Sequence, residues 1–396
     1  MFAPIRRLTA PLARAALVAS ALFVAACDPA AMSQPQGPVT GQMIEPGQPV
    51  QVALLVPGNT GNAELDRIGR SLANAARMAA ADAQGAQIDL RVYPHAPTEA
   101  ATVARANEAA NAGAKIIVGP LFGDSSNAVG LAMRERNINV LSFSNNADIA
   151  GHNVFVLGNT FSNVANRLVS YGVRQGKRRF LTVYENDPAG QVGAGAIAGA
   201  IAQQGATQSG QIPHALSQEG IDRAIPQITN AVQGGQIDAI FVTANQQAVL
   251  PYLTDRLYAA GVTSADAQFM GLTRWDRPAA RLQLPGVQGA WFAIPDTRLT
   301  AQFENRYRQA YGEAPHELGA LGYDGISAIA ALAATRRANA LTSTGLTRAQ
   351  GFSGVNGVFR FLPDGTNQRG MAIATINGGQ VQVIDPAPQR FGGAGF

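Results

Sequence analysis

Gln51-Val52-Ala53-Leu54-Leu55-Val56-Pro57 is an unbroken apolar run of strand length after its first residue. A strand with one wet face alternates polar and apolar residues. A run without alternation has to be covered on both faces, as in the parallel sheets of α/β proteins. The residues that follow fit such a sheet. From Asn62 to Ala83, Leu65, Ile68, Leu72, Ala76 and Ala79 recur at helical spacing, with Asn62 placed as a cap. Further strands are predicted at Ile88–Tyr93, Lys115–Val118, Asn139–Phe143, Arg179–Tyr184, Asp238–Thr243, Gln268–Gly271 and Gly289–Ile294. Helices fit between them at about 98–112, 124–136, 161–175, 190–204, 219–233, 246–260 and 299–311. Strands recurring with intervening helices imply parallel sheets with right-handed crossovers. After one more long helix, about 316–337, the pattern changes. Val358–Phe361, Met371–Ile376 and Val381–Ile384, separated by Pro363-Asp364-Gly365 and Asn377-Gly378-Gly379, read as hairpins of a small β meander.

The other end of the chain is of a different kind. Arg6, Arg7 and Arg14 precede the apolar run Ala15–Val24, which has the length of a signal-peptide core and is too short to span a bilayer. Val24-Ala25-Ala26-Cys27 closes it, and Cys27 is the only cysteine, with no disulfide partner and no companion thiolate for a metal. Small residues directly before a cysteine resemble a bacterial lipobox. That resemblance implies a leader over 1–26, lipidation of Cys27, and a mature protein anchored to the outer or inner membrane on the periplasmic side. Residues 28–49 hold several prolines and glycines and no periodicity, which reads as a flexible tether, with Cys27 as its first residue. Fully stretched it reaches roughly 70 Å at ~3.3 Å per residue. Loss of the leader leaves 27 basic against 26 acidic residues. A near-neutral surface has no electrostatic footprint for nucleic acid. With 46% apolar and 14% charged residues, the chain can build a large core of about two lobes.

Taken in order, the elements from about 50 to 386 resemble the type I periplasmic-binding-protein fold: two doubly wound lobes joined by three crossing strands, with a cleft between and a β meander at the end. The pieces that carry the resemblance are Val52–Pro57, Ile117-Val118-Gly119-Pro120-Leu121, Val140-Leu141-Ser142 with its loop Phe143–Ala147, Tyr323-Asp324-Gly325, and Gly357–Gly365. The resemblance implies lobe 1 over 50–158 with about 295–340, lobe 2 over 159–294 with about 341–386, and a tail over 387–396. Two subfamilies compete. Gly119-Pro120-Leu121 looks like the penicillin-binding-protein activators (LpoA-like lipoproteins). The other subfamily comprises amino-acid receptors of ABC importers, which usually place a Ser/Thr-rich loop at that point to hold a ligand carboxylate. Those receptors also keep an acidic residue after the strand matching Phe269-Met270-Gly271 to pair a ligand amine, and here Thr273 or Arg274 stands there. An ammonium facing Arg274 is repelled, which argues against a zwitterionic amino acid. Ala189 stands where the receptors carry an aromatic.

Ligands of open α/β sheets sit beyond the carboxyl ends of the strands. The candidates for ligand or partner contact are therefore Asn59 and Thr60, Asp124 and Ser125, and Ser144, Asn145 and Asn146 in lobe 1. Lobe 2 offers Asn186, Asp187, Asn245, Gln246, Arg274 and Trp275. Asn, Asp and Ser also favour turns and helix caps, and Trp275 is either a core residue or an anchor beside Arg274. Catalytic motifs fail on inspection. Gly172–Arg178 is one residue short of a P-loop and precedes a strand, and Gly193-Ala194-Gly195 lacks a ribose-binding acid downstream. His95, His152, His214 and His316 are scattered without metal-ligand spacing, and no Gly-x-Ser-x-Gly elbow occurs. The sequence thus predicts a non-enzymatic envelope lipoprotein without metal or cofactor. The activator resemblance implies contact with a bifunctional penicillin-binding protein as its role. The alternative is capture of a small, amino-acid-like solute for an ABC importer.

Overall fold

The computed structural model describes residues 39–244 and 248–392; Cys27, the tether to residue 38, and the candidates Asn245 and Gln246 lie outside them. The opening apolar run is strand β1 (Val50–Pro57), with every residue but Gln51 buried. It lies between β2 (Ile88–His95) and β3 (Ile116–Val118), and β4 (Asn139–Ser142) and β5 (Val154–Val156) continue the sheet, all neighbours parallel. Helices α1 (Ala63–Asp82), α2 (Glu99–Asn111) and α3 (Gly123–Arg134) are the crossovers. The Asn62 carboxamide oxygen accepts the amides of Glu64 and Leu65 at 3.0 and 3.2 Å and starts α1 where the sequence placed it. β5 is absent from the predicted strands because Val154–Val156 is a three-residue run with no long helix before it to mark a crossover.

The second lobe repeats the plan. Helix α4 (Phe161–Arg174) leads to β6 (Arg179–Glu185), α5 (Pro188–Gln203), β7 (Thr207–His214), α6 (Gln218–Gln233), β8 (Ala239–Val242), α7 (Val249–Ala259), β9 (Gln268–Gly271) and β10 (Trp291–Ile294). The chain then returns to lobe 1 with α8 (Thr297–Tyr311), α9 (Gly319–Ala333) and the one-turn α10 (Ser343–Leu346). Three short strands follow, β11 (Phe352–Gly354), β12 (Gly357–Phe361) and β13 (Asn367–Arg369), and the chain ends with β14 (Ala372–Asn377) and β15 (Gln380–Asp385).

The expected terminal meander is two structures. β11, β12 and β13 form their own antiparallel sheet. Phe352, Phe359 and Phe361 pack with Leu54, Leu72 and Phe155 in the core of lobe 1. β14 and β15 instead extend the lobe 2 sheet antiparallel to β10, in the order β15-β14-β10-β9-β8-β6-β7. Along β14 the side chains alternate between the two cores of that sheet, Ala372, Ala374 and Ile376 on one face and Ile373 on the other. Residues 341–369, expected in lobe 2, therefore build lobe 1. Turn signals are local, and which sheet a hairpin joins is decided by the apolar surface it meets.

Two further expectations are corrected at the ends of the body. Residues 39–49, read as tether, dock on lobe 1. The Gly41 amide donates to Asn137 Oδ1 at 2.9 Å, the Thr40 amide to Ser343 Oγ at 3.1 Å, and Ile44 is buried. Composition alone did not show that these backbone amides would find side-chain partners. Residues 387–389 are likewise packed rather than a tail, with Ala387 buried and the Gln389 amide donating to Asp296 Oδ2 at 2.9 Å.

Candidate functional site

The chain passes between the lobes after β5, after β10 and after β13, and buried polar side chains stitch these passages together. Asn367 Nδ2 donates to the carbonyls of Val156 and Gly158 at 2.6 and 2.8 Å, and Asn163 Nδ2 donates to Asn367 Oδ1 at 2.6 Å. Arg369 donates through Nε and Nη2 to the Leu157 carbonyl at 3.1 and 2.6 Å, and through Nη1 to Asp324 Oδ2 at 3.1 Å. Asp324, the middle of the Tyr-Asp-Gly piece, also accepts the Val355 amide at 2.8 Å. Burial pushes the Asp324 carboxyl up against the opposing pull of Arg369, so desolvation outweighs the ion pair. Asp324 thus ties the end of β13 to α9 within lobe 1, beside the passage to lobe 2.

Beside the seam lies a cavity of about 780 Å³ between the lobes, within the ~300–1,000 Å³ range of small-molecule sites. It sits beyond the carboxyl ends of strands from both sheets. Asn145 and Asn146 follow β4, Asn159 follows β5, Pro188 and Ala189 follow β6, Ala244 follows β8, and Leu272, Thr273 and Arg274 follow β9. Its walls are largely apolar, from Phe161, Val164, Val192, Leu318, Leu321 and Met371 among others. The polar groups are set among them: the three asparagines and Asn356, four arginines (274, 277, 281 and 369), and Glu317. Arg274 grips Asp276 with both arms of its guanidinium, Nε to Oδ1 at 2.6 Å and Nη2 to Oδ2. Its charge is thus partly answered on its own loop, which weakens the simple repulsion expected from it. Arg277 Nη1 in lobe 2 donates to Glu317 Oε2 in lobe 1 at 2.9 Å, an ion pair across the mouth of the cleft. Thr273 also lines the cavity, its hydroxyl donating to the Ala244 carbonyl at 3.1 Å.

Of the described candidates, Asn145, Asn146 and Arg274 line the cavity. The others have local work, as their residue types suggested. Thr60 donates to Asp66 Oδ1 at 2.9 Å, and Asn59 turns the chain with φ of 54°. Asp124 is exposed in the first turn of α3, and Ser125 is buried beside it. Ser144 Oγ accepts the Asn146 amide at 3.1 Å and shapes the loop. Asp187 caps α5 through the Gly190 amide at 2.6 Å, and Asn186 faces Gln191. Trp275 is a correction: it is fully buried, edge-on to Phe269 with ring centroids 6.5 Å apart, in the core of lobe 2. It anchors a fold, not a partner. Gly119-Pro120-Leu121 does not reach the cavity either. Its Gly119 amide donates to the Leu141 carbonyl at 2.8 Å, and the Pro120 carbonyl accepts the Phe143 amide at 3.0 Å. The residues that sequence reasoning missed come from loops whose origin was hidden: Asn159 from the undetected β5, Arg277 and Arg281 from the long turn after β9, and Glu317 and Arg369 from segments returning across the seam. Applying the carboxyl-end rule to Val154–Val156 would have found Asn159.

Among the described residues no helix is long and apolar enough to cross a membrane, and no cluster of His, Cys, Asp or Glu could hold a metal ion. Solved structures share the fold. A putative branched-chain amino acid ABC transporter protein from Rhodospirillum rubrum is 17% identical with a TM-score of 0.69, over 85% of this chain and 100% of that one. An ABC transporter substrate-binding protein from Desulfitobacterium hafniense, in complex with Leu, is 19% identical with a TM-score of 0.62, over 85% and 100%. A solute-binding protein of an ABC transporter from R. palustris, in complex with benzoate, is 15% identical with a TM-score of 0.55, over 88% and 99%. No curated protein matches the chain. The family model described as periplasmic binding protein matches residues 49–380, the span of both lobes, their seam and the cavity between them: the chain belongs to the periplasmic binding protein family.

Proposed function

We propose that this protein captures a small solute in the cleft between its lobes and delivers it to an ABC-type importer, held at a membrane through Cys27. The observation that carries the reading is the cavity itself: it is apolar, roomy, set with a few polar groups, and assembled from loops of both lobes beside a hydrogen-bonded seam. Relatives of the same fold that hold Leu and benzoate support it. The expected role as activator of a peptidoglycan synthase is less well supported than solute capture. The tripeptide that suggested it serves the packing of lobe 1, and Trp275 is sealed in a core where no partner reaches it.

The test is a thermal-shift screen of the full chain against amino acids, carboxylates, amides and sugars. A true ligand at a hundredfold excess over its Kd adds about 2.7 kcal/mol of stability and a saturable rise in Tm. A screen in which nothing shifts the transition rejects the reading. Replacement of Cys27 by Ser should block lipidation and leave the leader uncleaved; unmodified mature protein, cleaved elsewhere and free in the periplasm of the parent strain, rejects the anchor.

A further inference from the structure

The strands β1 to β5 are parallel and turn their carboxyl ends to the cavity. Their amino ends, with Asn139 at the start of β4 and His152 just before β5, form the opposite end of lobe 1. Residues 39–44 lie across that end. The Thr40 hydroxyl donates to the His152 carbonyl at 3.3 Å and Asn139 Nδ2 to the Thr40 carbonyl at 3.2 Å. Gln42 Nε2 donates to the Arg136 carbonyl at 2.7 Å, and the Ile44 amide to the Ala338 carbonyl at 2.8 Å. The segment is thus flanked by Arg134 and Arg136 at the end of α3 and by Arg336 and Arg337 after α9, all four exposed. None of the four forms an ion pair among the described residues. Arg337 shares with Arg348 a hollow of about 500 Å³ whose other walls carry no charge, and Lys115 precedes β3 at the same end. The carboxylates here are fewer: Glu45 beside Arg336, Glu135 between Arg134 and Arg136, and Asp364, which accepts the amide and hydroxyl of Thr366 in its own turn. Among the described residues the three most exposed large apolar side chains also gather here: Val39 at 61%, Met43 at 56% and Leu131 at 55%. Val39 and Met43 belong to the docked segment, and Leu131 stands three positions before Arg134 on the last turn of α3.

We propose that this end of lobe 1 is the face the protein lays on a bilayer containing anionic phospholipid, its arginines at the headgroup phosphates and Val39, Met43 and Leu131 dipping below them. This rests on the membrane anchor read at Cys27 and not on the solute in the cleft. Two observations select a bilayer as the occupant. The described chain begins on this face, so residues 28–38 leave from it toward Cys27 and reach at most roughly 36 Å at ~3.3 Å per residue. The end nearest an anchor is the end held against lipid. Exposed cations set among exposed apolar tips are also the make-up of an interfacial surface, the cations drawn to anionic headgroups and the tips buried beneath them. An acidic soluble partner would use the charges and leave the tips in water. The cavity, at the other ends of the same strands, is thereby held clear of the headgroups.

The experiment is vesicle sedimentation with residues 28–396, which lack the leader and Cys27. Residues 39–396 form one compact unit, and solved relatives complete the fold over 85% of this chain, so the body stands without them. Vesicles of phosphatidylcholine, alone or mixed with phosphatidylglycerol, are compared at low and high salt. The expected result is binding to the mixed vesicles only, reversed by salt. Arg336→Gln combined with Arg337→Gln should weaken it by at least about tenfold, since each arginine near an anionic surface is worth roughly fivefold. Met43→Ser should weaken it severalfold. Lys177→Gln combined with Arg178→Gln removes the same charge before β6, at the far end of lobe 2, and should leave binding unchanged. An unchanged Tm for each variant checks that the fold is kept. A body that ignores the mixed vesicles overturns the proposal, as does equal loss from the lobe 2 pair. Polyglutamate bound as tightly, with the same loss on the Arg336 and Arg337 changes and none on Met43→Ser, assigns the face to an acidic partner and overturns it too. The anchor is tested separately through Cys27, so lipidation without vesicle binding sinks this proposal alone, and vesicle binding without lipidation sinks only the anchor.

Discussion

The two lobes share a framework and part at the rim of the cleft. Each opens with a buried strand, a helix and a second, edge strand that ends in the same tripeptide, Pro94-His95-Ala96 in lobe 1 and Pro213-His214-Ala215 in lobe 2. In both, the histidine ring is buried with Nδ1 close to the next carbonyl, 2.8 Å from Ala96 O and 3.2 Å from Ala215 O, and a hydroxyl residue three positions on caps the following helix, Thr98 or Ser217. At the cavity the likeness ends, because lobe 1 offers Asn145, Asn146 and Asn159 where lobe 2 offers three arginines. Core positions are held alike because each change of volume or polarity there costs several kcal/mol. Loop positions after the strands carry little of that constraint and are free to set ligand chemistry. Framework and specificity are therefore separable in this molecule, and substitutions should divide accordingly.

The largest effect is expected where the lobes are joined. Asp324→Ala removes the carboxylate partner of the buried Arg369 and should cost about 3–5 kcal/mol of stability, the usual price of stranding a buried charge. Urea denaturation checks it; a loss under about 1 kcal/mol would mean that lobe 1 relaxes around Arg369 and that the pair adds little. Next come two glycines on helices that look alike in sequence. A Cβ on Gly322 of α9 would lie 2.3 Å from the Leu72 carbonyl oxygen of α1, so Gly322→Ala should destabilise lobe 1 by about 1–3 kcal/mol. Gly199 of α5 has nothing within 4 Å, and Gly199→Ala should stabilise lobe 2 by about 0.5–1 kcal/mol. Melting curves of the pair that move the same way would break the comparison.

Smaller effects sharpen it further. Burial holds the His95 imidazole below its ordinary value of 6.5, since the charged ring has lost water, and Thr102 Oγ1 lies 3.1 Å from its Nδ1. The unfolded chain then binds a proton that the folded one resists. Stability from this group is full above pH 6.5 and is lost as pH falls from there toward the depressed folded value. Tm measured from pH 7.5 to 5 should therefore fall less steeply for His95→Asn than for the parent protein; identical slopes would remove His95 from the account. The smallest effect belongs to the ion pair across the mouth. Arg277 and Glu317 are half exposed, so Arg277→Ala should change stability by about 0–1 kcal/mol, screened by salt. Its clearer sign should be faster solute exchange in stopped-flow measurements, and unaltered rates would show that the pair does not latch the lobes.

Most of the framework was legible in residue order. β1 announced itself through Val52–Val56, α1 through its apolar stripe and the Asn62 cap, and the repetition of both implied two parallel sheets. The candidate site was legible only in outline. The carboxyl-end rule led to Asn145, Asn146 and Arg274, yet it also selected Thr60, Ser144 and Asp187, whose side chains turned out to hold local turns and caps. Trp275 was taken for a possible anchor because a rare aromatic stood beside an arginine; in the fold it falls under the lobe 2 sheet. The physical difficulty is that Asn, Asp and Ser serve loop geometry and ligand contact through the same groups.

What the sequence determined alone was whatever depends on neighbours along the chain: the period of apolar residues, helix caps, turn residues and the alternation of strand with helix. These are set by contacts a few residues apart and by the need to bury a face. What only the tertiary structure decided depends on groups far apart in the chain. Asp324 meets Arg369 across 45 positions, Arg277 meets Glu317 across 40, and Asn163 meets Asn367 across 204. The hairpins after α10 divided between the lobes according to which apolar surface was open to them, and the cavity received its four arginines from one lobe and the seam. No local pattern encodes those meetings, because their energy exists only once both partners have been desolvated together.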